Sequence, residues 1–244
     1  MPTIAARTRS TLKPLVRRYG AFVGSIVRVA TEAPHIVVTY DDGPEPGGTD
    51  RVLASLAKHE ASATFFILLS RARRYRSLVE DVVSAGHEIA LHGLDHRRLT
   101  AFSASEVRRR TSDAKAELED LSGRGIHWFR PPYGAQSLGT WRATRSVGLA
   151  PVLWGPTTWD WKDIPQSERV DSALRGAAPG AILLAHDGQA STDDGAFDGP
   201  PPHLDRGELA DLVLDAYAAR GLTGRSLGDA LAVGTPVREA RFSR

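Results

Sequence analysis

The stretch HIVVTYDDGP, residues 35–44, decides the fold that the sequence predicts. Five β-branched or aromatic residues, 36–40, lead directly into two adjacent carboxylates, Asp41 and Asp42, and a Gly-Pro turn follows. Short runs of this composition are typical of strands that are covered on both faces. Because two like charges at a partly buried strand end repel each other, the Asp pair predicts a cation close by.

Five further runs of this kind follow along the chain, and amphipathic segments separate them. The strand-like runs are 63–69, 88–91, 126–129, 151–154 and 181–184. The segments with helical spacing are 50–59, 77–85, 106–121, 140–147, 167–177 and 206–219. Ser103 and Glu106 form a capping-box pattern at the start of the third segment. Strand followed by helix, repeated six times, predicts an α/β fold with mostly parallel strands.

Unusual polar residues follow the ends of five predicted strands. In parallel α/β folds, the functional loops lie at the carboxyl ends of the strands. The residues at these ends are Asp41 and Asp42, then His92 and His96, then Arg130, Asp160 and His186. We therefore expect the active site on this rim of the sheet.

Two histidines and one carboxylate are the candidate metal ligands. His92 and His96 are four residues apart, a spacing that places two imidazoles on one face of a helical turn. Alone, this spacing is common among solvated histidines. Asp42 as a third ligand would leave open positions for water, which is the pattern of a catalytic metal site. Because the sequence has no cysteine, any metal must bind to His, Asp or Glu.

The other rim residues have side chains suited to acid–base chemistry. Asp41, if it does not bind the metal, can take a proton from metal-bound water. Arg130 can pair with Asp41, and His186 can protonate a leaving amine. Asp160 can orient the imidazole of His186 and favour its charged form. The residues therefore predict a metal-dependent hydrolase of amides.

Five segments in order resemble the motifs of the polysaccharide deacetylase family, the NodB-homology domain of carbohydrate esterase family four. They are TYDDGP at 39–44, HGLDH at 92–96, RPPYG at 130–134, WDW at 159–161 and ILLAHD at 182–187. The resemblance implies a distorted (β/α)7 barrel. It also implies hydrolysis of an N-acetyl group, usually on an amino sugar or oligosaccharide.

The resemblance implies a metal site and a base. Asp42, His92 and His96 would bind one divalent ion, for which zinc is expected and cobalt or nickel are alternatives. Asp41 would be the catalytic base, and Arg130 would hold it in place.

The resemblance also implies an acid and a substrate pocket. His186 would be the catalytic acid, with Asp160 adjusting its pKa. The backbone amide of Tyr133 would stabilise the oxyanion, while Trp161 and Leu184 would line the pocket for the acetyl methyl group.

The segment 189–205 is longer and more acidic than the family pattern. It contains Asp193, Asp194 and Asp198 and three successive prolines at 200–202, and it directly follows the predicted acid. Two interpretations stay open from the sequence. The segment is either a lid or wall of the active site, or a mobile solvated loop.

Two extensions flank the predicted catalytic domain, residues 34–234. Residues 1–33 are strongly basic and predict a helical extension that packs on the domain or contacts an anionic membrane surface peripherally. Residues 235–244 are a predicted tail. No run of 18 apolar residues occurs, and no small-x-small cleavage site follows the apolar run 21–27. We therefore expect a cytoplasmic rather than an exported protein.

The composition argues against nucleic acid as a partner. The chain has 244 residues, 41% of them hydrophobic, and a formal net charge of +2, which suits one domain or two small ones. Phosphate affinity requires clustered cations. Arginines do cluster at 108–110, but on a predicted amphipathic helix this is usually a solvated face. We expect an N-acetylated sugar or small amide as the ligand and make no prediction of the oligomeric state.

The competing function is that of another amide hydrolase on the same scaffold, either a deformylase or an enzyme that opens a cyclic amide in a small metabolite. A metal, a base and an acid would serve any planar amide. The size of the pocket would distinguish these substrates, because a slot that fits a methyl group discriminates against larger or smaller groups.

Overall fold

The computed structural model describes residues 23–242 of the chain. This part contains nine strands, eight α-helices and three short 3-10 helices. The strands are β1 (Ser25–Ala30), β2 (His35–Asp41), β3 (Thr64–Leu68), β4 (Glu88–Gly93), β5 (Trp128–Phe129), β6 (Ala150–Pro151), β7 (Ile182–His186), β8 (Thr223–Arg225) and β9 (Thr235–Glu239). The α-helices are α1 (Thr49–Lys58), α2 (Leu69–Arg74), α3 (Arg76–Ser84), α4 (Ala104–Ser122), α5 (Leu138–Ser146), α6 (Gln166–Leu174), α7 (Arg206–Ala218) and α8 (Leu227–Ala232). The 3-10 helices are Leu99–Ala101, Pro132–Gly134 and Thr192–Asp194.

Seven strands form one parallel sheet in the order β6, β5, β4, β3, β2, β7, with β8 also paired to β2. The first half of β2 pairs with β8 and the second half with β7. This architecture confirms the predicted fold class, an α/β fold with mostly parallel strands arranged as a distorted barrel.

Strand β1 fills the gap between β6 and β7. Ile26 bridges Val152 next to β6, and Arg28 bridges Ala181 next to β7, while β9 pairs antiparallel with β1. The helix predicted across residues 1–33 is therefore wrong for β1, and part of the predicted tail is the strand β9. The strand forms because its apolar residues are buried and only Arg28 and Ala30 are exposed. Residues 1–22 lie outside the described part of the chain.

The central strands are apolar on both faces because each face packs against a different core. In β2, Val37 lies with Phe66 and Ile182 in a cluster between the strands of the barrel. Its neighbours Ile36 and Val38 belong to a larger cluster that includes residues of the surrounding helices. Burial on both sides explains the continuous apolar runs in the sequence. Each such side chain contributes about 1.5–3 kcal/mol when it is removed from water.

The six predicted helices are all present, with ends that differ by at most three residues from the prediction. Ser103 caps α4 as predicted, since its side chain accepts a hydrogen bond from the Glu106 amide at 3.2 Å. Helices α2 and α8 were not predicted, and Leu69, assigned to the preceding strand, is the first residue of α2. Within residues 23–242, no helix is long and apolar enough to cross a membrane.

A substitution at Gly180 tests how closely β1 packs against the chain at that residue. It has a φ of +75°, and a Cβ there would lie 1.8 Å from the carbonyl oxygen of Val29. A left-handed conformation costs an alanine about 1–2 kcal/mol, and this contact should add roughly 1 kcal/mol or more. We predict that Gly180→Ala lowers the free energy of unfolding by the sum of both effects, measured by urea denaturation.

Gly176→Ala is the matched control. Gly176 has a φ of +78° and no atom within 4 Å of a Cβ, so only the conformational cost should appear. Equal losses of stability in the two variants would show that β1 does not pack tightly at Gly180.

Candidate active site

The carboxyl ends of the parallel strands meet at a pocket of about 520 Å³. Asp41 ends β2 in register with His186, which ends β7. Eight of the ten predicted site residues line this pocket: Asp41, Asp42, His92, His96, Tyr133, Trp161, Leu184 and His186. The other two, Arg130 and Asp160, lie directly behind it and bond to Asp41 and His186. The structure therefore brings all ten together.

Asp42, His92 and His96 lie close enough to share one metal ion. The Oδ1 atom of Asp42 is 3.3 Å from Nε2 of His92 and 3.3 Å from Nε2 of His96, and all three residues are buried. A tetrahedral ion with bonds of about 2.0–2.1 Å has ligand atoms about 3.3 Å apart. Both distances from Asp42 therefore match one ion, and all three ligand atoms lie within 4.8 Å of one another.

The protonation of this cluster also fits a metal. Nδ1 of His92 lies 2.8 Å from the carbonyl oxygen of Arg130, which can only accept, so Nδ1 carries the proton and the Nε2 lone pair faces Asp42. Burial lowers the pKa of His96, which favours the neutral ligand form. Among the described residues, Oδ1 of Asp42 has no hydrogen-bond partner. Buried lone pairs without a donor call for a cation.

The two histidines are brought together by a strand and a bend rather than by a helix. His92 is part of β4, whereas His96 lies in the loop after it. The prediction of a shared helical turn is therefore wrong. Gly93, with a φ of +137°, turns the chain, and the His96 amide donates to the carbonyl oxygen of Asp194 at 2.8 Å. These constraints place the two rings 5.3 Å apart.

Asp41 is held by a buried arginine. Nη1 of Arg130 donates to Oδ1 of Asp41 at 2.6 Å and to Oγ1 of Thr39 at 2.8 Å. Oδ2 of Asp41 lies 4.0 Å from Nε2 of His92. Arg130 is fully buried, and its guanidinium lies 4.1 Å from the centre of the Phe66 ring. One carboxylate oxygen of Asp41 is thus fixed while the other faces the metal cluster.

His186 is paired with a buried carboxylate. Its Nδ1 lies 2.7 Å from Oδ1 of Asp160, and its backbone amide donates to Oδ2 at 2.7 Å. Burial favours the neutral imidazole, but attraction by Asp160 outweighs this and raises the pKa of His186 to about 9. Burial favours the neutral Asp160 acid, but His186 in turn lowers the pKa of Asp160. At neutral pH the imidazole is therefore protonated. Because Asp160 binds Nδ1, Nε2 is the ring nitrogen that is available to a molecule in the pocket.

Arg206 belongs to this pair, although the sequence analysis did not identify it. Its guanidinium lies 3.6 Å from Oδ2 of Asp160 and donates to the carbonyl oxygen of His186 at 2.9 Å. It is the first residue of α7 and lies outside every motif. No local sequence signal marks it, because both of its partners are distant in the sequence.

Asp187 is a second residue without a predicted role. It is buried, its Oδ2 accepts from Oγ1 of Thr49 at 2.6 Å, and its Oδ1 accepts from the Gly43 amide at 3.2 Å. Burial raises its pKa to about 6. These bonds hold the turn that follows Asp42.

Tyr133 and Gly134 form a tight turn at the pocket wall. Tyr133 has a left-handed backbone with φ 59° and ψ 11°. At Gly134 a Cβ would lie 2.7 Å from the Trp154 ring, so the turn needs glycine there. Trp161, 44% exposed, lies edge-on to His186 at 5.6 Å, and Leu184 is buried. Trp161 and Leu184 form apolar parts of the pocket wall, and their contact with an acetyl methyl group stays a prediction.

The 189–205 segment forms a wall of the pocket through Gln189, Ala190 and Asp198. Fully buried Asp194 anchors it by accepting from Nε of Arg71 at 3.0 Å. Of the two interpretations from the sequence, the structure supports the wall.

Residues 28–152 match the family model for polysaccharide deacetylase. The chain is 36% identical over 167 residues to a chitooligosaccharide deacetylase of Azorhizobium caulinodans, covering 68% of this chain and 80% of the relative. It is 32% identical over 212 residues to a chitooligosaccharide deacetylase of Sinorhizobium fredii, covering 84% of this chain and 96% of the relative.

A solved structure extends the likeness to three dimensions. A family 4 acetyl xylan esterase from Clostridium thermocellum, in complex with a cobalt ion, has a TM-score of 0.70 and 27% identity. It covers 81% of this chain and 90% of that chain. The family model and the two chitooligosaccharide deacetylases confirm the predicted enzyme class, an amide deacetylase, and give no support to the deformylase alternative. The chain belongs to the polysaccharide deacetylase family.

Proposed function

We propose that the protein is a metal-dependent N-deacetylase that hydrolyses the acetamide of an N-acetylated amino sugar or its oligosaccharides. The observation that carries the proposal is the placement of Oδ1 of Asp42 at 3.3 Å from both His92 and His96, with Asp41 beside them. The names of the two chitooligosaccharide deacetylases support this substrate class.

Asp42, His92 and His96 would hold one divalent ion, with zinc as our first choice and cobalt or nickel as alternatives. The cobalt complex of the related esterase supports a divalent ion in this family. When bound, the ion would polarise the acetamide carbonyl and make a water molecule more acidic.

Asp41 acts as the base in the proposed reaction. Arg130 occupies Oδ1, so Oδ2 is the oxygen that accepts a proton from the attacking water. Because Arg130 is fixed by burial and by Thr39, the carboxylate keeps this orientation through the reaction.

Attack of the water on the carbonyl carbon places negative charge on the carbonyl oxygen. The backbone amide of Tyr133 donates to that oxygen. The carbon–nitrogen bond then breaks as His186 gives its proton to the leaving nitrogen, which yields acetate and a free amine. Trp161 and Leu184 bound the apolar part of the pocket that receives the methyl group.

Acetate release tests the proposal directly. We expect the purified protein to release acetate from N-acetylglucosamine oligomers, to lose this activity on chelation, and to regain it with zinc, cobalt or nickel. N-formyl analogues are the comparison, because formate release at a higher kcat/KM would favour the deformylase alternative. Undiminished turnover by metal-free protein would contradict the metal claim.

Asp41→Asn separates the base from the metal site. The variant should keep its metal content and lose about two or more decades in kcat, the scale of general base catalysis. The matched variant Asp42→Asn, one residue away, should lose metal affinity as well. Metal content and kcat together report the result. Equal metal loss in both variants would assign Asp41 to the ligand set instead.

The pH dependence of kcat/KM tests His186 as the acid. The imidazolium keeps its proton below its pKa and loses it as the pH rises through about 9, so activity should fall on the basic side at or below that pH. Asp160→Asn removes the attraction that raises this pKa, so the basic limb should move to lower pH. A limb that stays in place in a folded, metal-binding variant would contradict the pairing.

A further inference from the structure

Of the four non-glycine residues with a positive φ in residues 23–242, two line the active-site pocket and a third directly precedes Asp160. They are Asp42, Tyr133 and Trp159, with φ values of 72°, 59° and 52°. Non-glycine residues adopt this conformation rarely, and it persists only where the surroundings hold it. At Tyr133 the strained backbone carries the amide that the proposed mechanism uses, so what holds it matters for catalysis.

The Tyr133 side chain is held on three sides. Its ring lies edge-on to His96 with centroids 4.3 Å apart, and the guanidinium of Arg98 lies 4.0 Å above the ring centre. Its hydroxyl donates to Oδ2 of Asp198 at 2.8 Å. A carboxylate oxygen can only accept, so the phenol hydroxyl is the donor of this bond.

Asp198 comes from a segment that is itself anchored. Four residues earlier, Asp194 is fully buried and accepts from Ser70 and Arg71, at 2.7 and 3.0 Å. Its backbone oxygen also accepts from the His96 amide. The hydroxyl of Tyr133 is therefore tied to a loop whose base is fixed to α2 and to the loop that carries a metal ligand.

We propose that Asp198 is a positioning residue for the oxyanion donor: by accepting from the Tyr133 hydroxyl it holds the side chain, and thereby the strained backbone amide, in place. The inference rests on the proposed function, because it gives a role to the 189–205 segment in that same site. Asp198 does not touch the reacting atoms in this account and acts only through Tyr133.

Two single variants remove the same hydrogen bond from opposite ends. Tyr133→Phe keeps the ring with its His96 and Arg98 contacts, and Asp198→Ala changes an exposed side chain. Each should lower kcat about three- to tenfold, the scale of one hydrogen bond, with KM unchanged. The interaction is used in the transition state rather than for binding substrate. The double variant should be no worse than either single variant.

Two controls accompany these variants. Asp193→Ala removes another carboxylate from the same segment. The Asp193 side chain is 81% exposed, and its ion pair with Arg74 is a long one, at 3.8 Å, so this variant should leave kcat unchanged. Asp198→Asn keeps an acceptor oxygen and should restore most of the kcat that Asp198→Ala loses.

The result that would overturn the proposal is a raised KM in Asp198→Ala with no effect of Tyr133→Phe, which would make Asp198 a direct substrate contact. Additive losses in the double variant would also overturn it, because independent effects do not arise from one bond.

Hydrogen exchange separates this proposal from the proposed function. The amides of Gly134 and Ala135, which donate to the carbonyl oxygens of Pro131 and Pro132, should exchange faster in Tyr133→Phe and Asp198→Ala, but not in Asp193→Ala. This readout does not depend on turnover. A protein that releases no acetate but shows this exchange pattern would refute the deacetylase and keep the positioning role. Unchanged exchange in an active enzyme would refute the positioning role alone.

Discussion

Two adjacent carboxylates at the buried end of β2 each require a different positive partner. For Asp41 that partner is Arg130, fully buried and bonded at 2.6 Å. For Asp42 we propose a cation held with His92 and His96, since its Oδ1 lies 3.3 Å from both Nε2 atoms and has no hydrogen-bond partner among the described residues. The chemistry follows from this division. In the proposed reaction one carboxylate would bind the ion, and its neighbour would stay available as a base.

The barrel supplies the geometry for this division. Parallel pairing of β2 with β7 places Asp41 in register with His186, so the proposed base and the proposed acid end neighbouring strands and line the same pocket. The acid is positively charged at neutral pH because Asp160 stabilises its proton. Separate buried partners hold the two side chains, Arg130 for Asp41 and Asp160 for His186. Such pairs are what amide hydrolysis needs at one pH.

Much of this site could be predicted from the sequence because its residues follow the ends of apolar strands, and parallel strands put those ends on one rim. Asp41, His92 and His186 are recognisable by that rule alone. Residues whose only signal is a distant partner could not be found in this way. Arg206 and Asp198 act through bonds to residues far away in the chain, and no local periodicity records such contacts.

The fold was predictable to a similar extent. The prediction of secondary structure was wrong where the conformation of a segment depends on contacts with residues distant in the sequence. From the sequence, the segment of β1 was predicted to belong to a basic helical extension. In the structure it is a strand because it fills the gap between β6 and β7. Helix α2, with the sequence LSRARR, has little apolar periodicity, and a buried ion pair between Arg71 and Asp194 holds it in place. In both cases the stabilising contact is non-local.

The central claim is that one divalent ion binds between Asp42, His92 and His96. Anomalous diffraction from crystals of the zinc-bound protein tests it most directly. We expect a single strong peak about 2.0–2.2 Å from Oδ1 of Asp42 and from Nε2 of each histidine. A peak instead at the other group of potential ligands, His59, Asp211 and Asp215, or no peak among Asp42, His92 and His96, would contradict it.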